Sequence, residues 1–346
     1  MLTAATAQAG GSIAIDDVRS LSVGAGLRTG LTMQEGASPN GESYSKSTDL
    51  QSIRLYLGGQ LHENIKLEFN TEMSSCEGEY CIRVLDAVAK ITISEAFNIW
   101  AGRFLPPSDR SNLSGPYYGN SWAFPAVQQY PAIFAGRDDG LAVWGKFVDG
   151  MVKYQVGAFK GRTNGSDMPL VSSRLTLNLW DVEGGYYNSS TYYGSQDTLA
   201  LGAVAMYQPE SIGTGETKGD YLGWNVDFLI EKKFSFGVPT FEAAFYSYSG
   251  GDVPAAEADI SEGTGFFALA SYLLPGEQGP GTLQPKVRYQ QFTAADDALA
   301  LDSTTIDVGL DYIFDGHNAR LSAVYQSTDA EGATSNAFLV GLQAQL

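Results

Sequence analysis

The chain has 346 residues, of which 40 are glycine, 12% are aromatic and only 17% are charged, and its net charge is −18. A charged fraction this low is unusual for a soluble protein, where about 25% is typical. No run of 18 apolar residues exists, which excludes a transmembrane helix, and the acidic balance disfavours nucleic acid as a partner. Neither observation excludes the strands of an outer-membrane barrel, because their lipid-facing and lumen-facing residues alternate.

The first nine residues end in Ala7-Gln8-Ala9, which resembles the cleavage region of a secretory signal. No charged or long apolar region precedes it, so either the true start lies upstream or the resemblance is accidental. We expect residues 1–16 to be an N-terminal segment, a candidate signal-peptide remnant. Residues 17–346 are expected to form a single domain.

Apolar and polar residues alternate along most of the chain, which is the pattern of a strand with one apolar face. In Leu21–Thr32 nearly every odd position is apolar and the even positions are small or polar. A later strand places Leu85, Ala87 and Ile91 in one apolar row. About sixteen strands are predicted, at about 21–32, 52–61, 66–73, 85–93, 97–104, 141–147, 151–159, 174–179, 198–207, 222–231, 240–248, 265–274, 286–290, 306–312, 320–326 and 338–346.

An even number of strands predicts an all-β fold, a closed antiparallel transmembrane barrel. Closure is required in lipid because every backbone N–H and C=O must find a partner. A soluble sandwich is the alternative, but sixteen strands would need two domains, and no linker separates them. The Tyr/Gly-rich connector at about 183–196 is long where a short periplasmic turn is due, which leaves the count uncertain by two.

The segment Pro106–Asp139 is too long for a hairpin turn and carries six aromatic residues among its prolines and glycines. Irregular loops of this length are usually functional or disordered, and aromatic residues argue against disorder. We expect it to be the third outer loop, folded into the bore as a constriction. Tyr117, Tyr118 and Trp122 are expected to pack the loop against the wall rather than to bind solute.

Cys76 and Cys81 lie five positions apart with no histidine nearby, so a zinc site is not expected. A local disulfide in an oxidising compartment is the favoured interpretation, and two free thiols are the alternative. We expect no cofactor and no metal.

The chain resembles the phosphate-selective porin O and P family of Gram-negative bacteria over most of its length. The similarity lies in AGRFLPPSDRSNLSGPYYGN, GRDDGLAVWG, SRLTLN with the connector after it, and TLALGAVAMYQ. The resemblance implies a sixteen-stranded, usually trimeric diffusion channel of the outer membrane, with its third loop inside. Two features depart from it: the chain ends in Leu346 rather than Phe, and its balance is strongly acidic.

Porin selectivity depends on charged side chains of the wall and the constriction. At the constriction we expect Arg103, Arg110 and Arg137, opposed by Asp109, Asp138 and Asp139. Strand parity predicts lumen-facing basic residues at Arg54, Lys90, Lys146, Lys153, Arg174 and Arg288. The alternative for each basic wall residue is a structural ladder, in which it pairs with a neighbouring carboxylate.

The predicted function is passive diffusion of small hydrophilic solutes or ions, including anions such as phosphate, through a trimeric barrel in outer-membrane lipid. The alternative is a barrel sleeve around a partner such as a cytochrome, for which the inward loop leaves little room. An enzyme is not expected, because the only histidines, His62 and His317, fall in predicted short turns away from the bore.

Overall fold

The computed structural model describes residues 10–76, 79–129, 135–162, 166–251, 253, 257, 260–295 and 301–346. The prediction at Ala7-Gln8-Ala9 and residues 130–134 of the predicted constriction loop lie outside them. No described helix is long and apolar enough to cross a membrane.

The described residues form seventeen strands and one short helix, α1 (Arg110–Tyr118). The strands are β1 Gly11–Ala14, β2 Ser20–Gln34, β3 Ser45–His62, β4 Ile65–Cys76, β5 Glu79–Ser94, β6 Phe97–Phe104, β7 Asp138–Phe147, β8 Val152–Phe159, β9 Leu170–Asn178, β10 Thr198–Ile212, β11 Gly219–Glu231, β12 Val238–Ser249, β13 Gly263–Leu273, β14 Thr282–Ala294, β15 Ser303–Asp315, β16 Ala319–Ala330 and β17 Ala333–Gln345.

Strands β2–β17 form a closed barrel of sixteen antiparallel strands, which confirms the predicted fold. Each strand pairs with its neighbour in the chain, and β17 returns to pair with β2. The short β1 pairs with the start of β2, with Gly11 opposite Val23. Because Gln345 pairs with Gly26 on the same edge of β2, β1 extends the line of β17.

Burial alternates along the strands as the sequence predicts. In β11, Leu222, Trp224 and Val226 are exposed, while Asn225 and Asp227 are buried. The exposed row is apolar on strand after strand, so the barrel presents a lipid-compatible belt outside and a polar lumen inside.

One predicted row is wrong at Leu85, which is fully buried rather than outward-facing. The cause is a bulge between β4 and β5: Asn70 pairs with Asp86, but Thr71 pairs with Val84. An inserted residue reverses the parity beyond it, so Val84 and Ile82 take the outward positions.

Short turns join β3 to β4, β5 to β6 and β15 to β16 at one end of the barrel, which we call the turn end. The segment 105–137 leaves β6 at the opposite end, the loop end, and contains α1. In outer-membrane barrels the turn end faces the periplasm.

Candidate functional site

The segment 105–137, here called the third loop, runs through the lumen and is held by hydrogen bonds to many strands. Ser172 donates to the carbonyl of Pro107 on one side of the bore. Lys286 donates to the carbonyl of Asn120 (2.9 Å) and Arg288 to that of Ala123 (2.9 Å) on the other. Its inward pose, predicted from length and composition, is therefore confirmed.

Two aromatic side chains of the third loop pack directly against glycines of the barrel wall. A Cβ at Gly26 would lie 2.9 Å from the ring of Tyr117, and one at Gly341 would lie 2.3 Å from Cζ2 of Trp122. The guanidinium of Arg28 lies 4.0 Å from the Trp122 ring centroid and donates to the Trp122 carbonyl (2.5 Å). Both aromatic residues pack the loop against the wall.

The middle of the segment 179–197, here called the connector, is a second part of the chain inside the lumen, and it enters from the turn end. Lys153 donates to the carbonyl of Gly185 (3.0 Å), and Gln155 donates to that of Tyr186 (3.0 Å). Further along, Glu231 accepts hydrogen bonds from the Thr191 hydroxyl (2.7 Å) and from two backbone N–H groups. The long connection where a short turn is expected is thus an inward fold.

A buried ion pair joins the connector to the third loop. The guanidinium of Arg110 donates to both carboxylate oxygens of Glu183, at 2.6 and 2.7 Å, and to the Ser189 carbonyl. Burial opposes ionisation of Glu183, but the charge and hydrogen bonds of Arg110 outweigh it and lower the pKa of Glu183 to about 2. Arg110 has no solvent exposure.

Asp109 is the N-cap of α1, because its side chain accepts from the backbone N–H of Ser111 (3.1 Å). It also accepts from the hydroxyl of Tyr246 (2.8 Å) and the amide of Gln128 (2.7 Å). Burial and the neighbouring Asp227 raise the pKa of Asp109 to about 6. Asp109 therefore fixes the start of the helix.

His317 lies in the turn between β15 and β16 and contacts both inward segments. Its Nδ1 is 3.2 Å from the carbonyl oxygen of Tyr117, and its Nε2 is 3.0 Å from that of Thr191. The expectation that His317 lies away from the bore is wrong, because this turn packs against the third loop and the connector inside the lumen. Burial, with the positive charge of Arg320, lowers the pKa of His317 to about 4.

Most basic residues of the wall pair with carboxylates, as in the structural ladder. Arg54 pairs with Glu72 (2.5 Å) and Arg288 with Asp307 (2.6 Å), and Arg174 forms two hydrogen bonds to Asp227. Lys153 is buried and bonded to the connector, while Lys146 stands opposite it, half-buried, at the turn end.

The predicted constriction charges do not form one cluster. Arg103 and Asp139 form an ion pair (2.6 Å) on the outward face, because they share the parity of the exposed Ala101 and Leu141. Their assignment to the constriction is therefore wrong. Asp138 is buried and accepts from the backbone N–H of Gly161 (2.7 Å).

Arg137 does point inward, where it pairs with Asp86 (3.1 Å). Arg110 lies inside the barrel, but its side chain is fully buried in the ion pair with Glu183 and is not exposed to solvent. Cys76 ends β4, but its side chain lies outside the described residues, so the disulfide with Cys81 stays a prediction.

Lumen-facing residues are exposed mainly on β3–β5. Every inward residue of β9–β12 is buried, and several of them bond to the third loop or the connector, as Ser172 and Glu231 do. On β3–β5, Lys66 is exposed, and Gln60, Glu68 and Lys90 are partly exposed. We call this exposed face the open wall.

The open wall carries two lysines in direct register. Lys66 on β4 is opposite Lys90 on β5, and Trp100 on β6 follows in the same row. Lys90 pairs with Glu68 and lies 4.1 Å from the Trp100 ring centroid. Lys66 has no ion-pair partner among the described residues. Opposed like charges destabilise a strand pair, and here Glu68 offsets the charge of one of the two lysines.

Sequence reasoning places Lys66 in the lumen by strand parity, with the other basic residues of the wall, but does not single it out; only the folded lumen shows that this lysine stays exposed. It missed Glu183 with the connector. The connector's signals were its length and its tyrosines.

No protein-family model matches the chain, and no curated protein matches it. Solved structures do. The anion-selective porin of Comamonas acidovorans has a TM-score of 0.63 at 12% identity, covering 95% of this chain and 100% of that one. The trimer form of OmpT, an outer membrane protein of Vibrio cholerae, has a TM-score of 0.62 at 14% identity, with the same coverage. A mutant of the Rh. blastica porin has a TM-score of 0.58 at 14% identity, covering 94% and 100%. The chain therefore has the fold of outer-membrane porins.

Proposed function

We propose that this protein is an outer-membrane porin of a Gram-negative bacterium, through which small hydrophilic solutes and ions diffuse passively with a preference for anions. The observation that carries the proposal is the open wall, where lumen-facing side chains stay exposed and Lys66 opposes Lys90. Passage would run between this wall and the two inward segments.

The preference for anions opposes the net charge of −18. Ions in a narrow pore respond to the charges that line it rather than to the total charge of the chain. Among solved structures of the same fold, one is named as an anion-selective porin. Phosphate is the finer candidate, suggested by the sequence resemblance, and a homotrimer is the proposed assembly.

The sleeve around a cytochrome is disfavoured by the same geometry. The third loop and the connector fill the bore along β9–β12, where each inward residue is buried. A protein partner would have to displace both segments.

The test is the reversal potential of single channels in a potassium chloride gradient. The reversal potential of the native channel should show selectivity for chloride. In the double variant Lys66→Gln/Lys90→Gln it should shift toward selectivity for potassium. Lys232→Gln is the matched control, because its ammonium lies 4.8 Å from the ring of Trp180, outside the lumen, and should change nothing. Millimolar phosphate should block the chloride current of a phosphate-preferring channel. Folded barrels without conductance would refute the porin proposal, and cation selectivity would refute the anion preference.

A further inference from the structure

The connector is built to hold one tyrosine in a fixed position inside the lumen. The ring of Tyr186 stacks on that of Trp100, with centroids 4.4 Å apart, and its hydroxyl donates to the carbonyl of Leu105 (3.0 Å). Together with the bonds from Lys153 and Gln155 to the adjacent carbonyls, this fixes the backbone at the next residue, Tyr187.

The side chain of Tyr187 reaches the open wall. Its ring meets the edge of Trp100 at a centroid distance of 5.5 Å, and Nζ of Lys90 lies 5.9 Å from its centroid. Tyr187 is half-buried, whereas Tyr186 is fully buried. Tyr187 is therefore the part of the connector nearest to the lysine row.

The hydroxyl of Tyr187 is buried and has no hydrogen-bond partner among the described residues. Lys90 is already paired with Glu68, so what Tyr187 offers the open wall is its half-buried ring rather than its hydroxyl.

We infer that the connector is a second constriction of the channel, and that the ring of Tyr187 sets its width beside Lys90. This inference rests on the proposed diffusion function. The channel would then have two selectivity elements, the third loop and, at the turn end, the connector.

The test compares Tyr187→Ala with Tyr325→Ala, which removes a lipid-facing tyrosine. Tyr187→Ala should raise single-channel conductance roughly 1.5- to 2-fold, since the pore's narrowest part limits conduction. It should also admit larger polyethylene glycols from the turn end, while Tyr325→Ala should match the native channel. Tyr187→Phe keeps the ring and should therefore keep the native conductance.

Tyr187→Cys provides a second test that survives a folding defect in the alanine variant. A membrane-impermeant thiol reagent should reduce its current and leave the native current unchanged. A conducting native channel with unaltered Tyr187→Ala conductance, or a Tyr187→Cys current that ignores the reagent, would overturn the inference alone. A folded native barrel without any conductance would overturn the porin proposal, and the inference with it.

Discussion

The ion pair between Arg110 and Glu183 should hold the connector inside the barrel, and Arg110→Ala should release it. The substitution leaves the Glu183 carboxylate buried, with the hydroxyl of Tyr192 as a remaining partner. Removing one member of a buried ion pair costs about 3–5 kcal/mol. In Arg110→Ala the connector should therefore leave its place in the lumen far more often than in the native protein, a movement called opening below.

A second arginine–carboxylate pair offers a matched control. Arg103 also makes two hydrogen bonds to its partner, Asp139, at 2.6 and 2.9 Å. That pair lies on the outward face with side chains 29% and 45% exposed, so losing it leaves the contacts of the connector inside the lumen unchanged. Arg103→Ala should have little effect.

Chymotrypsin provides the assay, because it cuts after aromatic residues, and Tyr186, Tyr187, Tyr192 and Tyr193 of the connector are buried or half-buried in the folded protein. When opening is fast, cleavage follows the population of the open form, so Arg110→Ala should be cut there more than about a hundredfold faster. The double variant Arg110→Met/Glu183→Leu should recover most of the protection, since paired apolar replacements can be neutral. Equal cleavage rates in native protein, Arg110→Ala and Arg103→Ala would refute the reasoning.

Two further predictions concern the same lumen. Because the pKa of His317 falls from 6.5 to about 4 on folding, the unfolded chain binds the proton first, so the contribution of His317 to stability should be constant above pH 6.5 and decline as the pH falls toward 4. His317→Gln should remove that decline in urea titrations; identical pH profiles for both proteins would contradict it. Gly341→Leu should push Trp122 off the wall and make the channel current noisier, whereas Gly59→Leu, whose Cβ would meet nothing within 4 Å, should record like the native channel.

The barrel could be predicted because lipid imposes a period of two on every strand. Outward rows such as Leu222, Trp224 and Val226 are visible in the sequence without any long-range information. The prediction failed locally at Leu85, where an inserted residue shifts the parity. A bulge leaves no clear trace in an alternating pattern.

The lumen could be predicted only in part. The inward position of the third loop could be predicted from its length and aromatic content. The partners of its charged residues, however, lie on distant parts of the chain. Arg110 meets Glu183 73 residues later in the chain, and Ser111 meets Glu242 131 residues later. Arg103 and Asp139 flank the loop in sequence, yet strand parity turns both outward. Proximity to a loop is therefore a weaker guide than the face of the strand.

The distribution of ion pairs shows how the proposed anion preference is compatible with an acidic chain. Where the third loop and the connector cover the wall, basic groups such as Arg174 and Arg288 are matched by Asp227 and Asp307, so their fields cancel over short distances. On the open wall, Lys90 is likewise paired with Glu68. Lys66 is exposed there without an ion-pair partner among the described residues, so the proposed preference depends on this lysine more than on the net charge.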